Sequence, residues 1–196
     1  NTGDLEPLRM AYPKVQAYLD TWQKAPDGTM TARQGGWYWG DWGNCIDKVA
    51  LYNALYYLAL KGQRNAALAL GNVDDAAMLK LRMEQLKVAF NRTFWTGAAY
   101  RHPDFKEGFD DRVQAMAVVA GLADRDKYPA ILQVLKTTRH ASPCIEKYVI
   151  EAFFKMGHPV EGLQRMRERY ATMVNDPIHT TLYEGWTVEE LGSSNH

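Results

Sequence analysis

This chain has no surplus of either charge: 23 basic residues balance 23 acidic ones, so no net field steers it toward nucleic acid or an anionic membrane. An uncharged partner is expected. Cysteine is scarce. Cys45 and Cys144 lie far apart without CxxC spacing, which excludes a zinc knuckle or a disulfide framework and predicts two plain buried thiols. No run approaches the roughly 18 apolar residues that a membrane span needs, so no membrane insertion is expected. The opening stretch NTGDLEPLRMAYPK lacks the charged and apolar regions of a signal peptide. His102, His140, His158, His179 and His196 show no HExxH or comparable spacing, and no Gly-rich phosphate loop or nucleophile elbow is present. No metal and no cofactor is expected. The DDRVQ run at 110–114 ends in Gln114 where an Asp-rich magnesium motif needs an acid, and no basic diphosphate-binding cluster accompanies it.

What is present is an ordinary globular composition, with 196 residues of which 46% are hydrophobic and 23% charged. That suits one domain, or a piece of a larger one, burying roughly 70% of its extended surface. Nearly all the periodicity is helical. Leu8, Tyr12, Val15, Leu19 and Trp22 predict a helix over about 7–24, opened by Pro7. Ile46, Val49, Ala50, Ala54, Leu55 and Leu58 predict a second, apolar on most of its circumference and ending near Gly62. A third runs from Asp74 through Phe90 with a charged back. A short apolar helix follows over 113–122, capped by Asp110 or Asp111, and then an amphipathic one over 126–138. Pro143 opens an apolar helix that stops at Gly157, and Pro159 starts a charged one reaching Val174. Residues 95–109 read either as a small hairpin or as a plain loop.

Helices two, four and six are apolar on most sides, whereas one, three, five and seven carry charged backs. The fold class is therefore all-α, with helical hairpins forming an inner and an outer layer. No fixed-length repeat appears, which favours a closed toroid, or part of one, over a solenoid. In such hairpins every outer-to-inner connection emerges on one face. Those connections hold Trp37, Tyr38, Trp39 and Trp42, then Trp95, Tyr100, Phe105 and Phe109, then Tyr183 and Trp186. The inner-to-outer links, read as 62–73, 122–126 and 157–159, contain no aromatic residue. The aromatic face also collects Asp41, Asp110, Asp111, Arg139, His140, His179 and Glu184, at the N-terminal ends of the inner helices.

Aromatic platforms beside carboxylates suit a neutral, hydroxyl-rich ligand, because indole stacks on sugar C–H faces and carboxylates accept from hydroxyls. The structural alternative is that Trp22 and Trp95 pack and that Asp110 and Asp111 cap helices. Asp41 in WYWGDWG and Glu184 in TTLYEGW stand apart, since a carboxylate inside an aromatic cluster is costly unless paired or used.

At WYWGDWGNCID, at TRHASPCIEKYVIEAFFKMGHPVEGLQRMRERYATM, and at HTTLYEGW followed by SSNH, the chain resembles the catalytic domain of bacterial α-L-rhamnosidases, family 78 of the glycoside hydrolases. The resemblance implies an (α/α)6 toroid of six hairpins, of which residues 1–196 would form about half, toward its C-terminal end. It also implies hydrolysis of terminal α-L-rhamnosyl groups with inversion, using an acid and a base whose carboxyls stand roughly 6.5–9.5 Å apart. Glu184 matches the base of that family. Tyr183 and Trp186 would shield it from bulk water. Asp41 falls on a Gly-Asp-Trp element and would accept from sugar hydroxyls or orient a neighbour, with Trp39 or Trp42 as stacking platform; His196 falls on an Asn-His element resembling a rhamnose contact. Partners implied are a rhamnose-containing glycoside, oligosaccharide or polysaccharide, and the remaining half of the catalytic domain.

The family's acid lies in an Arg-Asp-Glu-containing segment that nothing in residues 1–36 resembles. The chain alone is therefore expected to be a poor catalyst, either as a fragment of a longer enzyme or as a degenerate relative, and the ending at Asn195-His196 favours the fragment. A periplasmic, extracellular or cytoplasmic setting in a bacterium is left open. Two competing readings remain: a non-catalytic carbohydrate-binding or scaffold domain, and a six-hairpin glycosidase or lyase for another sugar.

Overall fold

The computed structural model describes residues 3–31 and 39–187. Within them seven α-helices follow one another: α1 (Glu6–Asp20), α2 (Lys48–Leu70), α3 (Val73–Phe94), α4 (Asp111–Ala120), α5 (Tyr128–Thr137), α6 (Pro143–Lys155) and α7 (Pro159–Val174). Among the described residues there is no strand, only isolated bridges joining Lys24 to Met30 and Trp95 to Tyr100. The 95–109 segment is thus a one-pair bridge followed by loop.

The apolar periodicity explains the layering. All ten residues of α4 are buried, since it packs against α2 on one side, α6 on the other and α5 behind. α2 carries α1 and α3 on its outer side, and α6 carries α7, so the outer helices pack chiefly on inner ones, with side-chain links such as Arg82–Asp20 tying α3 to α1. The result is an arc of a two-layered helical ring. Its core runs through Leu51, Leu60, Phe90, Phe94, Val113, Met116, Ile131, Leu135, Val149 and Phe153.

Two sequence readings need correction. α2 does not end at Gly62 but continues to Leu70. An interior glycine costs about 1 kcal/mol in helix propensity, whereas Ala66, Ala67 and Leu70 beyond it pack on the core. Gly71 at φ +78° ends the helix instead, with its N–H turned back to α2 carbonyls, so the inner-to-outer link shrinks to two residues. The cysteines, both free, are not a buried pair either: Cys144 is exposed and Cys45 is half-buried.

α6 and α7 meet closely at Gly162, where an added Cβ would stand 2.9 Å from Phe153 Cβ and 3.2 Å from the Phe154 ring. Gly162→Ala is expected to destabilise the fold by about 1–3 kcal/mol despite alanine's better helix propensity. Thermal unfolding of the variant checks this, and a raised Tm would contradict it.

Candidate active site

The N-terminal ends of the three inner helices form a floor fastened by side chains from the loops above. Asp47 caps α2, accepting from Ala50 N (3.1 Å), and also accepts from His102 N (2.6 Å) in the 95–110 connection. Its own N–H donates to Asp110 Oδ2 (3.0 Å), while Asp110 caps α4 at Arg112 N (3.0 Å). Capping is therefore the role of Asp110.

Arg112 is the hub. It is fully buried, donating from Nε to Asp110 (2.7 Å), from Nη1 to Asp41 (3.2 Å) and from Nη2 to the Asn44 and Cys45 carbonyls (2.9 and 2.8 Å). Cys45 holds φ +55° there, a conformation unusual for a side-chain-bearing residue, and both its own carbonyl and that of Asn44 are captured by the guanidinium. Asp41 in turn accepts from Ser142 N (2.9 Å) and from the Ser142 hydroxyl. Ser142 opens α6, so one carboxylate ties the Trp39–Trp42 loop to both α4 and α6. A second buried network lies beside it: Arg165 of α7 donates to Asp111 (2.8 Å) and to Glu146 (3.0 Å). Such charges belong in a core only when fully paired, as these are.

Glu184 sits on the segment following α7, and that segment is fastened at two points. At its start Asp176 accepts from Ile178 N (2.8 Å), His179 N (2.9 Å), the His179 ring and the Tyr183 hydroxyl. The Tyr183 hydroxyl, followed by these backbone donors, holds the Asp176 carboxyl well below the usual carboxylate range. Beyond Glu184, the Trp186 indole donates to Ala141 O (2.8 Å), and the Arg169 guanidinium lies 3.8 Å from its ring centroid.

Between these mounts lies a cleft of about 660 Å³ lined by Trp39, Trp42, Pro143, Cys144, Thr181, Leu182, Tyr183 and Glu184. The Trp39 and Trp42 rings meet edge to face at 5.5 Å. Four of the residues singled out in the sequence, Trp39, Trp42, Tyr183 and Glu184, thus come together on one wall-lined space. Asp41 lies beneath it, buried and occupied by Arg112 and Ser142. Trp186 stands outside the lining, with its ring against Arg169 and its edge toward Tyr170 at 5.2 Å. His196, like Trp37 and Tyr38, lies outside the described residues. Trp22 and Trp95 pack against the core. No group of three or more metal-ligating side chains occurs among the described residues, and no described helix is long and apolar enough to cross a membrane.

Sequence reasoning missed Arg112, Ser142, Cys144 and Arg169. For Arg169 a signal existed, because Arg165 and Arg169 stand four apart and so share one helix face.

The cleft's chemistry is a half-buried carboxylate framed by aromatic rings, a surface for a neutral polar ligand. Solved structures share this architecture. The arc matches the α-L-rhamnosidase of Streptomyces avermitilis complexed with L-rhamnose (TM-score 0.76, 19% identity, 99% of this chain and 20% of that one). It also matches a rhamnosidase from Klebsiella oxytoca with rhamnose bound (TM-score 0.74, 18% identity, 94% and 39%) and the family 78 rhamnosidase of Bacillus sp. GL1 (TM-score 0.73, 21% identity, 88% and 20%). At these identities the likeness is one of fold, and the chain spans between a fifth and two fifths of their lengths. No curated protein matches. The model of the bacterial α-L-rhamnosidase six-hairpin glycosidase domain matches residues 1–196. The chain belongs to the bacterial α-L-rhamnosidase six-hairpin glycosidase family.

Proposed function

We propose that this chain is the base-bearing portion of a toroidal catalytic domain that hydrolyses terminal α-L-rhamnosyl groups with inversion. One observation carries the reading: Glu184 shares a cleft with Trp39, Trp42 and Tyr183 at the N-terminal face of the inner helices. Two solved relatives of the same fold are described with rhamnose bound.

In this reading Trp39 or Trp42 stacks on the sugar's apolar face, and Glu184 takes a proton from a water attacking the anomeric carbon. The Trp39, Trp42 and Tyr183 rings line the cleft beside the half-buried carboxylate, where it is placed to act as a general base. Asp41 orients its neighbours rather than binding sugar hydroxyls, because its oxygens already accept from Arg112 and Ser142. His196 completes the sugar's contacts, and the general acid comes from outside this chain. A second feature supports a larger ring. A largely apolar groove of about 650 Å³ runs along the α6–α7 flank, where Ile150, Met166, Ala171, Val174 and Leu182 lie beside Lys147, Arg167 and Asn175. Further hairpins would cover it.

The test is proton NMR of the sugar first released from an α-L-rhamnoside by the complete domain. Inversion gives the β-anomer before mutarotation. First appearance of the α-anomer contradicts the mechanism, and an unsaturated product indicates a lyase.

A further inference from the structure

We infer that Arg169 is a positioning residue for Glu184, acting through Trp186; this rests on the reading of Glu184 as the base. Arg169 lies on α7, outside the cleft lining, yet it reaches three structures that build the cleft. Its guanidinium stacks on Trp186 at 3.8 Å, two residues from Glu184. Its Nη2 donates to Ala141 O (2.6 Å), the same carbonyl that receives the Trp186 indole (2.8 Å), and its Nη1 reaches Arg139 O (3.4 Å). Its Nε faces the buried Glu146 carboxylate at 3.8 Å.

The Ala141–Ser142 pair is therefore the common anchor of both cleft walls. Ser142 is gripped by Asp41, which fixes the Trp39–Trp42 loop, and Ala141 is gripped by Arg169 and Trp186, which fix the Glu184 segment. A planar guanidinium does here what an ammonium does not, stacking on indole while donating in its own plane. The Glu146 carboxylate, itself gripped by Arg165, adds only a longer-range attraction from the core side.

The experiment compares Arg169→Met, Arg169→Lys and Glu184→Gln in the complete enzyme, by steady-state kinetics on p-nitrophenyl α-L-rhamnoside. Amide hydrogen exchange over 183–187 gives a readout independent of turnover. Displacing a reacting group by about an ångström costs up to about 100-fold in rate. Arg169→Met is expected to lower kcat about 10- to 100-fold with KM within about threefold, and to speed exchange over 183–187 while the first turns of α7 stay protected. Arg169→Lys should recover part of kcat, and it carries the test if the methionine variant does not fold. Wild-type kcat and unchanged exchange in Arg169→Met, beside an inactive Glu184→Gln, overturn the inference. So does a loss that lysine does not relieve and that falls on KM. Full activity in Glu184→Gln overturns the base assignment instead, and exchange over 183–187 alone then decides whether Arg169 anchors the segment.

Discussion

Replacing Glu184 by glutamine is expected to lower kcat by about 10²- to 10⁴-fold or more, the usual contribution of a positioned general base. Glutamine keeps the side chain's shape and its place beside Tyr183 but has no basic oxygen to take a proton from water. Ligand affinity should therefore change by no more than about tenfold, roughly 1.4 kcal/mol. The separation of effects is the informative part. A loss in kcat with KM preserved marks a group that acts in the transition state, whereas a loss confined to KM would make Glu184 a binding carboxylate. Rate constants for the complete enzyme and its Glu184→Gln variant on one aryl rhamnoside check this, and retained turnover refutes the assignment.

Arg112→Met should damage the fold severely, costing about 3–5 kcal/mol, because it strands buried carboxylates without their cation. Asp110 and Asp41 would both lose their ion pair, and the carbonyls of Asn44 and Cys45 their donor. Burial already pushes Asp110 up to about 6 against the pull of Arg112, with Asp111 adding to the rise. Without the guanidinium that carboxyl moves higher still. A carboxyl whose folded pKa is raised binds more protons in the native than in the unfolded state. Its contribution is thus fully present below the unfolded value and is lost as pH rises through the folded one. The variant's Tm should therefore increase as pH is lowered from about 8 to about 5, with the gain beginning near neutrality. Asp47 and the His102 segment, which also face this cluster, are joined by backbone donors that do not involve Arg112. Calorimetry across that range decides, and a Tm that falls steadily with acidification would contradict the account.

The layered helical fold is legible in the sequence because its signal is local. Apolar residues every three or four positions set α2, α4 and α6 apart from their amphipathic neighbours, and prolines at 143 and 159 mark where α6 and α7 begin. Gly62 misleads because a glycine's local cost is outweighed by packing further along α2, a tertiary effect that periodicity does not carry. Glu184, Trp39 and Trp42 are legible from their aromatic surroundings and from family resemblance together. What holds them is not. Arg112 and Asp41 are 71 residues apart, and Asp41 and Ser142 are 101 apart. No spacing rule joins such positions. Cys144 reads as buried because lone cysteines usually are, yet it falls in the first turn of α6, where an inner helix meets the cleft. In α7 the run containing Arg165, Arg167, Glu168 and Arg169 reads as a solvated back. Their four-residue spacing puts Arg165 and Arg169 on one face, and the neighbouring helix shows that this face turns inward to Glu146.

The most direct measurement is release of p-nitrophenol by the complete enzyme from its α-L-rhamnoside, with the β-L-fucoside and α-D-mannoside as controls and Trp42→Ala beside the unaltered protein. Hydrolysis of the rhamnoside alone is expected, with KM raised in Trp42→Ala. Equal hydrolysis of the controls, or no hydrolysis of the rhamnoside by a folded enzyme, would contradict it.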